Sequence, residues 1–317
     1  MKKAKILLLS MIGVLYCITA SSNTTSDLSV KEILATYYYS EADVANKIQN
    51  SSSVLAPHYG PTVHHFVKDN LYQGKKGFAR TLSRTQMYFP VIEQYLAANG
   101  LPDDLKYLIV VESQANPHAQ SGVGAMGLWQ LMPVTATRYG LTVNDVQDDR
   151  KDPRKATEAA LKYLSYLHGL FGDWALAISA YNCGQGRVKR AIREAGSTDY
   201  NVVKDFLPQQ TQKYVPAIIA AGYCVNYYEE HNVQATALEY EVKFTDAIQV
   251  FDKLSFTEIS NITNTPIAII QRLNPSYPKG YIPATKRGNY VVLPAAKIGQ
   301  LSQFLNYSDR FVVEMRF

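Results

Sequence analysis

Glu112 combines a carboxylate with an apolar stripe, the pairing that proton-transfer chemistry near neutral pH requires. Leu105, Leu108, Ile109 and Glu112 fall at i, i+3, i+4 and i+7, so one helical face carries three aliphatic side chains and an acid. Desolvation on such a face disfavours the ionised carboxylate. A place at the helix C-terminus, ahead of a polar and glycine-rich loop, adds the negative end of the helix dipole. Both effects raise the pKa, as a general acid needs. Taken alone, however, Glu112 reads better as a surface glutamate fraying from a last turn.

Other polar residues stand at element boundaries. Ser113 follows the acid directly, Gln130 and Met132 sit in Gly127-Leu128-Trp129-Gln130-Leu131-Met132-Pro133, and Tyr181-Asn182 end an apolar segment. Asp103, Asp104, Asp152 and Asp173 read as helix-start caps rather than second catalytic carboxylates. The six histidines form no H-E-x-x-H pattern, so neither a metal nor another cofactor is expected.

The positioning elements are mostly helical. Helices are expected over Gly77–Arg84, over Tyr88–Asn99 and from Pro102 through Glu112, with a short one between Pro133 and Gly140. Asp152-Pro153 opens a longer helix whose stripe runs from Ala156 to Phe171. Trp174 to Tyr181 is apolar nearly all round, as befits the centre of a bundle, and Thr211 to Tyr228 forms the last strong helix. The stretch from Asp27 to about Gly60 reads as an extended lead-in. Beyond Thr236 the pattern turns α+β: strands at Leu238–Phe244 and Tyr290–Pro294, helices at Phe256–Ile262 and Pro266–Leu273, and a last strand at Phe311–Phe317 without an evident partner.

Composition places limits on function. At 47% hydrophobic and 19% charged, the 317 residues can bury a sizeable core. Three of the five net positive charges come from Lys2, Lys3 and Lys5, leaving about +2 (5 − 3) and no basic stripe for nucleic acid. Those lysines, an apolar run to Ala20 and a small-residue exit have the form of a secretory signal peptide. Ordinary cleavage after Ala20 is favoured over a lipid anchor at Cys17, because Tyr16 is bulky for a lipoprotein site; membrane attachment would follow only from lipidation. Cys183 and Cys224 could form a disulfide in an oxidising compartment, but their apolar helical settings favour two buried thiols.

Three segments then line up: Glu112-Ser113, Gly127 to Pro133, and Ala180-Tyr181-Asn182. Together with Asp152-Pro153, Gly172-Asp173-Trp174 and Tyr214-Val215-Pro216 they resemble the soluble-lytic-transglycosylase-like domain across about residues 80–230. Trp129, where methionine is commoner, points to the D type of membrane-bound lytic transglycosylase. The resemblance implies a goose-lysozyme-like α-helical fold that cleaves peptidoglycan glycan strands between N-acetylmuramic acid and N-acetylglucosamine. It makes Glu112 the sole catalytic carboxylate, acid first and base second, giving a 1,6-anhydro end without water.

On the same resemblance, Ser113 would orient the acid, while Gln130, Met132, Tyr181, Asn182 and Tyr214 would bind sugar. Trp129 is expected to be structural. Asn182 is also a candidate helix C-cap, and Tyr214 is equally a buried core tyrosine. The C-terminal part weakly resembles LysM through Ile259, Leu273-Asn274-Pro275 and Tyr290–Pro294, but lacks that module's Gly-Asp-Thr-Leu opening.

The expected organisation is a signal peptide (1–20), an N-terminal extended or helical lead-in (21–75), a mainly α lysozyme-like catalytic domain (76–235) and a small α+β LysM-like module (236–317). An exported, periplasmic or envelope location follows, with wall-remodelling proteins as possible partners. A hydrolytic lysozyme and a non-catalytic wall-binding scaffold are the rival readings.

Overall fold

A computed structural model describes residues 40–307 and 312–315. The expected signal peptide, Cys17 and the first part of the lead-in lie outside the described residues. From Ser40 the lead-in is helical rather than extended: α1 (Glu41–Gln49) is capped by the Ser40 hydroxyl accepting from the Asp43 N–H, and α2 (Thr62–Lys68) follows. Val44, Ile48, Val63 and Val67 are buried, so each short helix presents an apolar pair to the body.

One helix, α3 (Lys75–Ala98), replaces the two expected between Gly77 and Asn99. Pro90 lies inside it and removes one intrahelical hydrogen bond. Phe78, Leu82, Phe89, Ile92 and Leu96 are nonetheless buried along the helix, and this packing carries the chain through the proline. After Gly100, a 3-10 turn over Asp103–Tyr107 leads into α4 (Leu108–Ser113). Next come α5 (Pro133–Arg138) and α6 (Pro153–Phe171), the latter capped by the Asp152 carboxylate on the Arg154 and Lys155 N–H groups.

The centre is α7 (Trp174–Cys183), opened by Asp173 accepting from the Leu176 N–H. Ala175 to Ala180 are all buried, as the all-round apolar sequence requires. Around it pack α6, α8 (Gln185–Ala195), α10 (Gln209–Gln212) and α11 (Tyr214–Tyr227), with α9 (Tyr200–Val203) against α8. Cys183 and Cys224 are free thiols.

The C-terminal part is α+β. β1 (Thr245–Val250) lies between β4 (Asn289–Pro294) and β5 (Val312–Met315), antiparallel to both, and β2 (Leu254–Ser255) pairs with β3 (Tyr281–Ile282). β1 is therefore the partner that the last strand lacked in the sequence. Helices α13 (Phe256–Thr263), α14 (Ile267–Leu273) and α15 (Ala295–Tyr307) complete the module, the last of them unanticipated. Ile248, Ile259, Ile270, Val291, Leu293 and Leu301 form its core.

The strand expected at Leu238–Phe244 does not form. Tyr240–Lys243 is a helical turn, α12, because the Lys243 and Phe244 N–H groups bond back to the Glu239 and Tyr240 carbonyls. Local bonds satisfy these groups, and the sheet starts at Thr245.

Asn289, only 1% exposed, ties the module to the helical part. Its Oδ1 accepts from Gln147 Nε2 at 3.0 Å and Lys155 Nζ at 2.9 Å, while the Asp148 N–H bonds the Ser276 carbonyl at 2.9 Å. Replacing Asn289 by Ala takes one of two acceptors from Gln147 Nε2 and Lys155 Nζ, which keep Asp149 Oδ1, and removes the donor to the Pro283 carbonyl, so Asn289→Ala is expected to cost about 1–3 kcal/mol. Differential scanning calorimetry checks this: the unfolding transition should shift downward.

Candidate active site

α4 ends one residue after Glu112, and its termination fixes where the carboxylate goes. Gln114 and Ala115 both adopt left-handed backbone, with φ of 54° and 53°. The Ala115 N–H closes onto the Ile109 carbonyl at 2.8 Å and the Gln114 N–H onto Val110 at 3.1 Å, which satisfies the last turn and reverses the chain. Glu112 is half-buried in the final turn. Burial pushes its pKa up to about 7, against a partial opposing pull from the Tyr214 hydroxyl, which donates to Oε1. Burial is the cause that raises it.

Tyr214 opens α11 and is buried, and burial followed by the Glu112 charge pushes its hydroxyl well above the usual tyrosine range. The same two causes act on Tyr181, so both phenols remain protonated donors around one carboxyl. Glu112, Tyr181 and Tyr214 therefore come together from α4, α7 and α11.

The segment opposite is a loop folded on itself. Met126 and Leu131 exchange backbone bonds at 3.2 Å, and the Gly127 N–H donates to the Ala119 carbonyl at 2.9 Å. Gly127 has φ of +82°, and a Cβ there would stand 1.8 Å from the Arg150 carbonyl oxygen, so no other residue fits. Arg150, gripped by Asp148 at 2.9 and 2.8 Å, donates Nη1 to the Gly124 carbonyl at 2.7 Å and to Leu131 at 3.3 Å.

Several residues expected to touch substrate hold this loop. Ser113 is buried and directs its hydroxyl at the Ile109 and Leu128 carbonyls, 3.0 and 2.8 Å away. It makes no hydrogen bond to Glu112, so the expectation that it orients the acid through one is corrected: it pins helix to loop. Tyr181 donates to the Trp129 carbonyl at 2.6 Å. Gln130, itself left-handed at φ 48°, gives Nε2 to the Ala119 and Gly127 carbonyls, each at 3.0 Å, which leaves Oε1 rather than the whole amide to face a ligand. Trp129 is fully buried and donates to Thr157 Oγ1 at 2.9 Å, a structural role.

Met132 is exposed at the end of the loop. Asn182 accepts from Thr211 Oγ1 at 2.9 Å through Oδ1, an arrangement that fixes its amide with Nδ2 as the remaining donor. Arg150 and Thr211 were not singled out from sequence. Arg150 lies in a charge run that reads as solvated, and Thr211 carries no spacing signal. Among the described residues, no His, Cys, Asp or Glu cluster could hold a metal.

Residues 90–204 match the transglycosylase SLT domain family, and residues 244–309 match the LysM-like domain of lytic transglycosylase MltD. The chain carries an SLT domain followed by an MltD-type LysM-like domain. Membrane-bound lytic murein transglycosylase D of Escherichia coli (strain K12) is 28% identical over 249 residues, spanning 75% of this chain and 54% of that protein. The chain thus covers about half the length of that relative. A protein described as a putative tributyltin chloride resistance protein, from Alteromonas sp. (strain M-1), is 35% identical over 136 residues, 43% of this chain and 66% of the relative. The crystal structure of the 70 kDa soluble lytic transglycosylase of Escherichia coli overlaps with a TM-score of 0.39 at 24% identity, covering 64% of this chain and 30% of that one. Glu112, Gln130 and Asn182 all fall within the residues matched to the SLT domain.

Two outcomes test this geometry. Glu112 has a folded-state pKa raised from 4.5 to about 7, so the unfolded chain releases the proton earlier and stability through this group falls as pH rises between those values. Glu112→Gln should therefore gain thermal stability over the parent across that window, with little difference below pH 4.5, in melting curves recorded against pH. Gly127→Ala should lose on the order of 3 kcal/mol or more in chemical denaturation, since backbone strain adds to a clash with backbone.

Proposed function

We propose that this protein is a peptidoglycan lytic transglycosylase, with Glu112 acting first as general acid and then as general base. The observation that carries the reading is the Glu112 carboxyl, raised by burial to a pKa of about 7 and fixed by the Tyr214 hydroxyl. A group so tuned is part protonated at neutral pH and serves either direction of proton transfer.

The protonated carboxyl donates to the oxygen joining N-acetylmuramic acid to N-acetylglucosamine, and the glycosidic bond breaks with positive charge developing at C1. The carboxylate left behind accepts the proton of that muramic sugar's own 6-hydroxyl as its oxygen closes onto C1. The ring so formed is the 1,6-anhydro end, and no water is consumed. A two-carboxylate glycosidase would place a second acid within about 5–10 Å. The single-acid route rests on Glu112 itself, a buried carboxyl partnered by the Tyr214 hydroxyl and able to serve as acid and then as base. The Asn182 amide and Gln130 Oε1 are the proposed contacts to sugar hydroxyl and acetamide groups, and exposed Met132 borders them.

Action on the wall requires export, and the amino-terminal sequence supports an envelope location. Among the described residues no helix is long and apolar enough to cross a membrane.

Digestion of purified peptidoglycan followed by mass spectrometry is the test. Anhydro products one water lighter than the reducing sugars are expected; reducing ends would reject the lyase chemistry in favour of hydrolysis. Glu112→Gln should lower turnover between about 10² and 10⁴-fold. Turnover of the parent should decline above about pH 7, where the acid form of Glu112 is lost.

A further inference from the structure

A cavity of about 280 Å³ lies beside the turn that ends α4, lined by α3, residues 116–118 and the LysM-like module. Its lining brings together three arginines from two domains, Arg80 and Arg84 on α3 and Arg272 on α14, with His118 and Tyr88 beside them. One acid faces this group in an ion pair: Glu239 takes Arg272 at 3.2 Å. Arg84 donates to the Gln114 carbonyl at 3.3 Å, and among the described residues neither Arg84 nor Arg80 pairs with a carboxylate. The excess charge is local. Burial and the positive charges of Lys151, Arg84 and Arg272 all hold His118 below its ordinary value.

We infer that this cavity binds carboxylates of the peptide stem carried by the muramic sugar. The inference rests on the proposed peptidoglycan substrate and names a second contact to it. Guanidinium groups match carboxylates in planar, two-pronged geometry, and an open cavity of this size admits one amino-acid-sized acid group. Its position suits the chemistry of the stem. Gln114 lies two residues beyond Glu112, so at most about 7 Å of backbone and the 3.3 Å Arg84 contact separate this arginine from the acid's own residue, a gap that a few extended peptide residues span. The stem hangs from the sugar whose bond Glu112 would break, so a carboxylate held there would seat that sugar at the acid. The site needs both domains, since Arg272 comes from the LysM-like module.

The test uses the full chain and a synthetic L-Ala–γ-D-Glu–diaminopimelate tripeptide, with its fully amidated form as control, in isothermal titration. The acid peptide should bind, the amide should not, and affinity should fall with salt. Arg80→Gln combined with Arg272→Gln should weaken binding about tenfold or more, a loss of about 1.4 kcal/mol. Arg80→Gln alone guards against misfolding, because the Arg80 side chain makes no hydrogen bond or ion pair among the described residues, and Arg80→Lys, which keeps the charge and loses the fork, should recover only part of the affinity. Equal binding of acid and amide peptides overturns the inference, as does affinity indifferent to these arginines or no binding by the parent chain. Glu112→Gln should retain the peptide. Binding without anhydro products would overturn the catalytic reading and leave this site standing.

Discussion

Everything proposed for this molecule depends on keeping one carboxyl out of water without giving it a cationic partner. An arginine or lysine beside Glu112 would neutralise the cost of burial by fixing the ionised form, and the group would lose its use as an acid. The protein instead surrounds Glu112 with phenols. Tyr214 donates to it, and Tyr181 lies close enough that the Glu112 charge raises its own pKa. Phenols stabilise the carboxylate less than a cation does, and they cannot titrate it to permanent charge. The result is a pKa of about 7 rather than one far above or below.

That balance demands a rigid frame, because desolvation changes steeply with small displacements. The frame is the loop from Ala119 to Leu131. Its carbonyls at Gly127, Leu128, Trp129 and Leu131 each accept from a named donor: Gln130, Ser113, Tyr181 and Arg150. Two of those donors, Ser113 and Tyr181, belong to the helices that also carry or adjoin the acid. The loop therefore has little freedom to relax away from Glu112, and the left-handed Gln130 is held by the same bonds its own side chain makes.

Much of this was legible in the sequence, for identifiable reasons. The i, i+3, i+4, i+7 stripe placed Glu112 on a buried face because helical periodicity is a property of the backbone. The all-round apolar α7 and the Asp152-Pro153 start of α6 carried equally local signals. What was illegible depended on partners distant in sequence. Ser113 beside an acid suggests a contact with that acid, but its carbonyl acceptor at Leu128 is set by tertiary packing. Gln130 suggests an amide turned to a ligand, whereas a left-handed backbone folds that amide onto its own loop. Leu238–Phe244 alternates like a strand, yet the Glu239 and Tyr240 carbonyls took the Lys243 and Phe244 N–H groups first. β5 found its partner only through β1, some sixty residues earlier, in a pairing no local pattern encodes.

The hairpin-like stretch from Thr142 to Arg150 gives the two domains a shared part. On one side Gln147 and Asp148 bond Asn289 and Ser276 of the LysM-like module; on the other, Asp148 aligns Arg150, whose guanidinium holds Gly124 and Leu131 of the 119–131 loop. Asp148 thus bonds the module through its backbone and the loop-holding arginine through its carboxylate. A second domain docked in this way need not bind glycan to matter. Hydrogen bonds from Gln147 and Lys155 to Asn289 keep the 142–150 stretch in place, and that stretch sets the Arg150 carbonyl that Gly127 must approach. The absence of the Gly-Asp-Thr-Leu opening from the LysM-like module is then compatible with a module retained for what it supports, with α14 contributing Arg272 to the cavity between the domains.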